Sequence, residues 1–160
     1  MSRKILGLDI RNDAVSAVLL INSMKGNSIE AHEHAFISNQ NGLEDGIEAC
    51  LNNITEKMDI SGSTCIASYP AEKISYRNIR LPFKEQKKIT QILPYELEPT
   101  LPFPVEDLII DFYTLTRDGL NDHTDLIAAA VEIPELKAYL QILSRFNLIP
   151  KVLTVGGYAT

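Results

Sequence analysis

The first third of the chain alternates short apolar runs with polar breaks. Residues 5–10 (ILGLDI) and 14–21 (AVSAVLLI) are rich in β-formers, and the three polar residues Arg11-Asn12-Asp13 between them suit a hairpin in length and composition. A third run over 28–37 follows the turn signal Lys25-Gly26-Asn27 and alternates Ile29 and Ala31 with polar neighbours, the pattern of a half-buried strand. Leu43, Ile47, Cys50, Leu51, Ile54 and Met58 then recur at steps of three and four, which predicts a helix over 42–58 covering one face of this meander. Residues 64–69 (TCIASY) are small or apolar throughout and stop at Pro70, as a fully buried strand would.

The pattern restarts at Lys73. A strand through Ile74, Tyr76 and Ile79 ends at Leu81-Pro82. A helix beginning at Lys84 carries Ile89, Ile92 and Leu93, and Pro94 is expected to kink or end it. Residues 108–115 alternate, and after a loop around Asp118-Gly119 the run 125–131 answers them as a hairpin partner. Pro134 opens a helix with Leu136, Leu140, Leu143 and Phe146 as its apolar stripe, and 151–155 reads as a short buried strand. The order β-β-β-α-β followed by β-α-β-β-α makes the chain α+β. Pro70 and Pro150 bracket the second pattern, so residues 1–70 with 150–160 are expected to form a core and 71–149 an inserted lobe.

Composition narrows the function. A chain of 160 residues with 45% apolar content supports one full core. Its 15 basic against 21 acidic side chains give a net charge of −6, which repels phosphate backbones, so nucleic acid is excluded as a partner. Cys50 and Cys65 are expected to be reduced thiols, with no zinc spacing around them. The longest apolar run, 126–131, is far shorter than the roughly 20 residues a spanning helix needs. The sequence is expected neither to be secreted nor to cross a membrane.

The chemistry-bearing candidate is Asp9. A carboxylate at the end of a first strand, before a tight turn, is where actin-like ATPases and ribonuclease H-like nucleases hold Mg²⁺ and phosphate; the plainer alternative is a hairpin cap. Arg11 and Asn12 complete the turn, but Ile10-Arg11-Asn12-Asp13 has no glycine to let a phosphate approach the backbone. A nuclease needs further convergent carboxylates, and Glu48, Glu56, Asp59 and Asp111 are scattered. His32 and His34, two apart on a strand, share a face without a third ligand; Ser16 and Ser68 lack the context of a nucleophile. The chain is expected to bind rather than to catalyse.

The stretch 81–107 stands apart. Five prolines stiffen the chain around one helix, with Phe83, Tyr95, Leu101 and Phe103 as flanking anchors. Lys84, Lys87, Lys88 and Gln91, at steps of three and four, are expected to form a basic helix face that docks an acidic partner.

Several of these segments carry a family resemblance: residues 5–10, Arg80-Leu81-Pro82-Phe83, the run QILPYELE over 91–98, and Leu101-Pro102-Phe103-Pro104 through Asp111-Phe112. The chain resembles the actin-like cytoplasmic domain of the type II secretion protein GspL and its type IV pilus relative PilM, which are similar to FtsA in having an inserted lobe. The resemblance implies an actin-like, ribonuclease H-like core with an FtsA-like lobe and a location at the inner face of the bacterial inner membrane. It also implies a scaffold or adaptor that docks the assembly ATPase or the cytoplasmic tail of an inner-membrane platform protein. It implies further that the chain is the N-terminal part of a longer protein whose second lobe carries the rest of any nucleotide site. In that family's nucleotide-binding members the first-strand Asp is usually followed by Gly and Ser or Thr. Here Ile10-Arg11-Asn12 follow, so Asp9, Arg11 and Asn12 read as a vestigial phosphate loop. No cofactor is expected in this chain; ATP-Mg²⁺ in the intact protein, as in a pilus-type relative, is the alternative.

Overall fold

The computed structural model describes residues 3–38, 42–115 and 123–156. The loop expected around Asp118-Gly119 lies outside the described residues. The chain divides into two compact units, residues 1–71 with 139–160, and residues 72–138.

In the first unit, strands β1 (Arg3–Ile10), β2 (Ala14–Ser23) and β3 (Gly26–Phe36) form an antiparallel meander, and helix α1 (Leu43–Lys57) leads to strand β4 (Thr64–Tyr69). β4 lies parallel to β1, and β8 (Val152–Val155) lies parallel to β4, giving the order β3-β2-β1-β4-β8. One face is apolar on successive strands: Leu6, Leu8 and Ile10, then Val15, Ala17 and Leu19, then Cys65, Ala67 and Tyr69, all buried. Ile47, Leu51 and Ile54 of α1 are buried with them, each removal of such a side chain from water stabilising by roughly 1.5–3 kcal/mol.

Three expectations are corrected here. Ile29 does not share a face with Ala31. Ala31 pairs with Leu19 and Ile29 with Leu20, so a bulge at Glu30 turns Ile29 to the open face, where it is 66% exposed. β4 is not buried throughout, since Thr64 is exposed and Ile66 half-buried on the face opposite to the buried set. β8 is an edge strand rather than a buried one, with Val152 and Leu153 exposed.

In the second unit, β5 (Ser75–Leu81), β7 (Thr124–Glu132) and β6 (Leu108–Leu115) form an antiparallel sheet with β7 in the centre. Helix α2 (Gln86–Leu97) lays Ile89, Leu93 and Leu97 on Leu81, Leu126 and Ala128. Phe83 and Leu101, two of the four expected anchors, close this core, whereas Tyr95 and Phe103 are exposed. The alanines of β7 leave room for the leucines of α2. Pro94 neither ends nor breaks the helix, which runs on to Leu97, because Leu93 and Leu97 on either side of it are held in the core. Lys84 is not on the helix: it lies two residues ahead of Gln86, where the backbone is still extended at Glu85.

Helix α3 (Ile133–Arg145) crosses the division between the units, so the expected boundary at 149 is about ten residues too late. Tyr139 donates a hydrogen bond to the Ser68 carbonyl at 2.7 Å and meets the Tyr69 ring edge-on at 5.1 Å, tying this half of the helix to β4. The buried stripe is Tyr139, Ile142 and Leu143; Leu140, expected in it, is exposed.

Candidate functional site

The open face of the five-stranded sheet carries one polar row. In register across the strands stand His34, Ser16, Asp9, Ser68 and Thr154, one from each of β3, β2, β1, β4 and β8. A cavity of about 360 Å³ lies over this row, lined among others by Gly7, Asp9, Arg11, Ser16, Ser68 and Thr154.

Asp9 holds the centre. Its Oδ2 accepts from Arg11 Nε at 2.8 Å, and its Oδ1 accepts from the hydroxyl of Ser68, a buried polar residue. Burial pushes the Asp9 carboxyl up, but the hydrogen bonds from Ser68 and Arg11 and the charge of Arg11 outweigh it and hold the group below its ordinary range. The same pair raises Arg11. At the neighbouring bend, a Cβ added to Gly156 would press on the Tyr69 carbonyl at 3.3 Å and stand in ordinary contact with Asp9 Oδ1 at 3.7 Å.

The structure thus brings together Asp9 and Arg11 of the expected turn, while Asn12 is exposed and does not line the cavity. Sequence reasoning missed Ser68 as a partner for Asp9. A polar residue inside the apolar run TCIASY is the available signal, but only the parallel pairing of β4 with β1 places it opposite Asp9. His32 and His34 do share a face. His34 Nδ1 is 2.9 Å from Ser16 Oγ, its ring packs edge-on against Phe36 at 4.8 Å, and His32 stands opposite Val18. Both cysteines are free and buried, and burial pushes their thiols up, so they stay protonated.

The expected partner face lies in the other unit. Lys87, Lys88 and Gln91 are exposed on α2 and Lys84 is exposed ahead of it. The face is less basic than its lysines suggest, since Glu85 lies 3.8 Å from the Lys88 ammonium.

No protein-family model matches the chain, and no curated protein matches it in sequence. Solved structures do match. The chain is similar to one chain of the "PilM-PilN type IV pilus biogenesis complex", at 21% identity and a TM-score of 0.75, over 94% of its own length and 47% of the other's. It is also similar to the cytoplasmic domain of EpsL, an inner membrane component of the type II secretion system of Vibrio cholerae, at 19% identity and a TM-score of 0.58, over 96% and 57%. The chain spans about half the length of these structures. What this likeness establishes is the fold: the parallel addition of β4 and β8 to a three-stranded meander is the actin-like, ribonuclease H-like core expected from the sequence, shared with these pilus and secretion components.

Proposed function

We propose that the chain is part of a scaffold or adaptor in a type II secretion or type IV pilus inner-membrane platform. It works at the cytoplasmic face, docks the assembly ATPase or the tail of a membrane partner, and performs no chemistry itself. The shared fold supports the setting. The observation that carries the non-catalytic reading is the state of Asp9. Both of its oxygens are engaged, one by Arg11 and one by Ser68, so an incoming Mg²⁺ or phosphate would have to displace an ion pair on a turn without glycine. The rival, an ATP-binding protein of the pilus type, draws on the cavity beside Asp9 and needs a second lobe to supply the base pocket. Among the described residues no helix is long and apolar enough to cross a membrane.

Docking is assigned to Lys84, Lys87, Lys88 and Gln91, exposed polar groups on a chain of net charge −6. A local basic face on an acidic molecule attracts an acidic segment at long range and raises its association rate. Reversing the three lysines to Glu is expected to weaken capture of the secretion ATPase or membrane-partner tail, most at low salt, with the circular dichroism unchanged. Equal capture by wild type and triple variant across a salt series would move the docking site elsewhere.

A further inference from the structure

Two of the helices place charge as their dipoles ask. α1 has Glu44 and Asp45 in its first turn and Lys57 in its last; α3 has Glu135 at its start and Arg145 at its end. α2 is reversed. Lys87 and Lys88 sit in its first turn, Glu96 in its last and Glu98 directly after it, with no side chain capping the N-terminus. Glu85 at the N-cap offsets the two lysines in part, but Glu96 and Glu98 oppose the dipole at the C-terminal end with no basic residue in the last turn, and a local rule broken without gain in the fold points to a use outside it.

Along the exposed side of α2, Lys88, Gln91, Tyr95 and Glu98 follow one another at steps of three, four and three, opposite the buried Ile89, Leu93 and Leu97. Tyr95, in the middle of the stripe, is 73% exposed. Among the described residues Glu98 has no ion-pair partner, and the only one Lys88 has is Glu85, at 3.8 Å. The stripe therefore runs from basic through amide and aromatic to acidic. Read backwards, it is its own complement. An antiparallel second copy sets Lys88 against the partner's Glu98 and Gln91 against the partner's Tyr95, and a two-fold axis makes each contact twice. At 1.5 Å per residue the two charges stand about 15 Å apart on one helix, so both ends can be met by a single helix of the same length.

We infer that α2 is a self-docking helix through which two copies of this chain associate antiparallel, with Tyr95 at the centre and reciprocal Lys88 to Glu98 pairs at the ends. The inference rests on reading α2 as a docking surface and names one occupant for it. Because Lys88 serves both the second copy and an acidic partner segment, the two compete, and arrival of the partner releases the dimer. One short helix pair buries little surface, so the association is weak and follows concentration.

Sedimentation velocity tests this directly. Wild type is expected to show a weight-average sedimentation coefficient that rises with concentration at low salt and much less at high salt. Lys88→Glu and Glu98→Lys, each alone, place like charges at both ends and are expected to weaken self-association by roughly tenfold or more. In a one-to-one mixture, the Lys88→Glu variant carries an acid at each end of the stripe and the Glu98→Lys variant a base at each end. Opposite charges then meet at both ends, so the mixture associates where neither component does. Both substituted side chains are exposed, and circular dichroism confirms that each variant is folded. The inference is overturned if wild type stays monomeric to about 1 mM, if the single variants associate as wild type does, or if the mixture fails to recover. The docking reading is judged separately, by capture of the partner with the triple lysine variant: it stands if capture is lost while wild type is monomeric, and falls if capture persists whatever the oligomeric state.

Discussion

At the residue scale, the molecule's carboxylates differ in what they are bound to. Asp9 is committed to Arg11 and Ser68, so titration of ATP-Mg²⁺ into the chain is expected to give no saturable heat at cellular nucleotide levels; a micromolar dissociation constant would promote the ATP-binding alternative. Asp59 shows a second arrangement. Its Oδ1 accepts from the Ser61 backbone N–H at 3.2 Å and from the Ser61 hydroxyl, and its Oδ2 accepts from Lys4 Nζ at 3.1 Å. The Ser61 hydrogen bond first, then Lys4, lower the group from an ordinary value of 3.8 to about 2. A carboxyl depressed in the folded state adds stability that is present above the unfolded value and lost as pH falls through the folded one, here between 3.8 and about 2. An NMR titration is expected to place the Asp59 midpoint near the bottom of that window, and Lys4→Ala to move it up. An Asp59 midpoint indifferent to Lys4 would leave Ser61 as the whole cause.

At the scale of the element, α2 is the segment whose local signals disagree with its fate. Pro94 lacks the N–H that would reach the Thr90 carbonyl, and its ring crowds the preceding turn, yet the helix continues to Leu97. What holds it is the contact of Leu93 and Leu97 with Leu81, Leu126 and Ala128. Replacing Pro94 with Ala is therefore expected to stabilise the chain by about 1–3 kcal/mol, since it restores the missing donor and a helix-favouring residue. Urea unfolding reads this as a higher midpoint at unchanged slope. A lower midpoint would show that the half-buried proline ring contributes packing worth more than the hydrogen bond it removes.

For the whole molecule, net charge and local charge pull in different directions. An excess of six negative charges disfavours association of like copies in general, while in the proposed reading the α2 stripe and the exposed lysines around it are local sites where attraction prevails. Salt separates these surface effects from the core. It screens both attraction and repulsion, so the partner capture and self-association that depend on the lysines are expected to fall together as salt rises, whereas the core contacts within each unit are left unchanged.

Much of this is legible from the chain itself. Alternation in 5–10 and 14–21, the three-and-four spacing from Leu43 to Met58 and the continuous run 64–69 identify their elements to within a few residues, because strand and helix impose periods of two and 3.6 on whatever must be buried. The strand end at Asp9 is equally plain. Pairing, by contrast, is a long-range property. Ser68 meets Asp9 only because β4 docks parallel to β1 across 59 positions of sequence, and Ile29 leaves the core only because β3 bulges at Glu30 against Leu19 and Leu20. Likewise, spacing alone puts Leu140 in the stripe of α3, whereas Tyr139, in contact with Ser68 and Tyr69, takes the buried place and leaves Leu140 exposed. Local sequence determines which residues form a strand or a helix, since that choice is made over a few neighbouring dihedrals and side chains. Which strand lies beside which, and which carboxylate thereby acquires an arginine and a serine, is decided only when distant segments compete for the same buried surface, and that competition leaves no periodic trace in the chain.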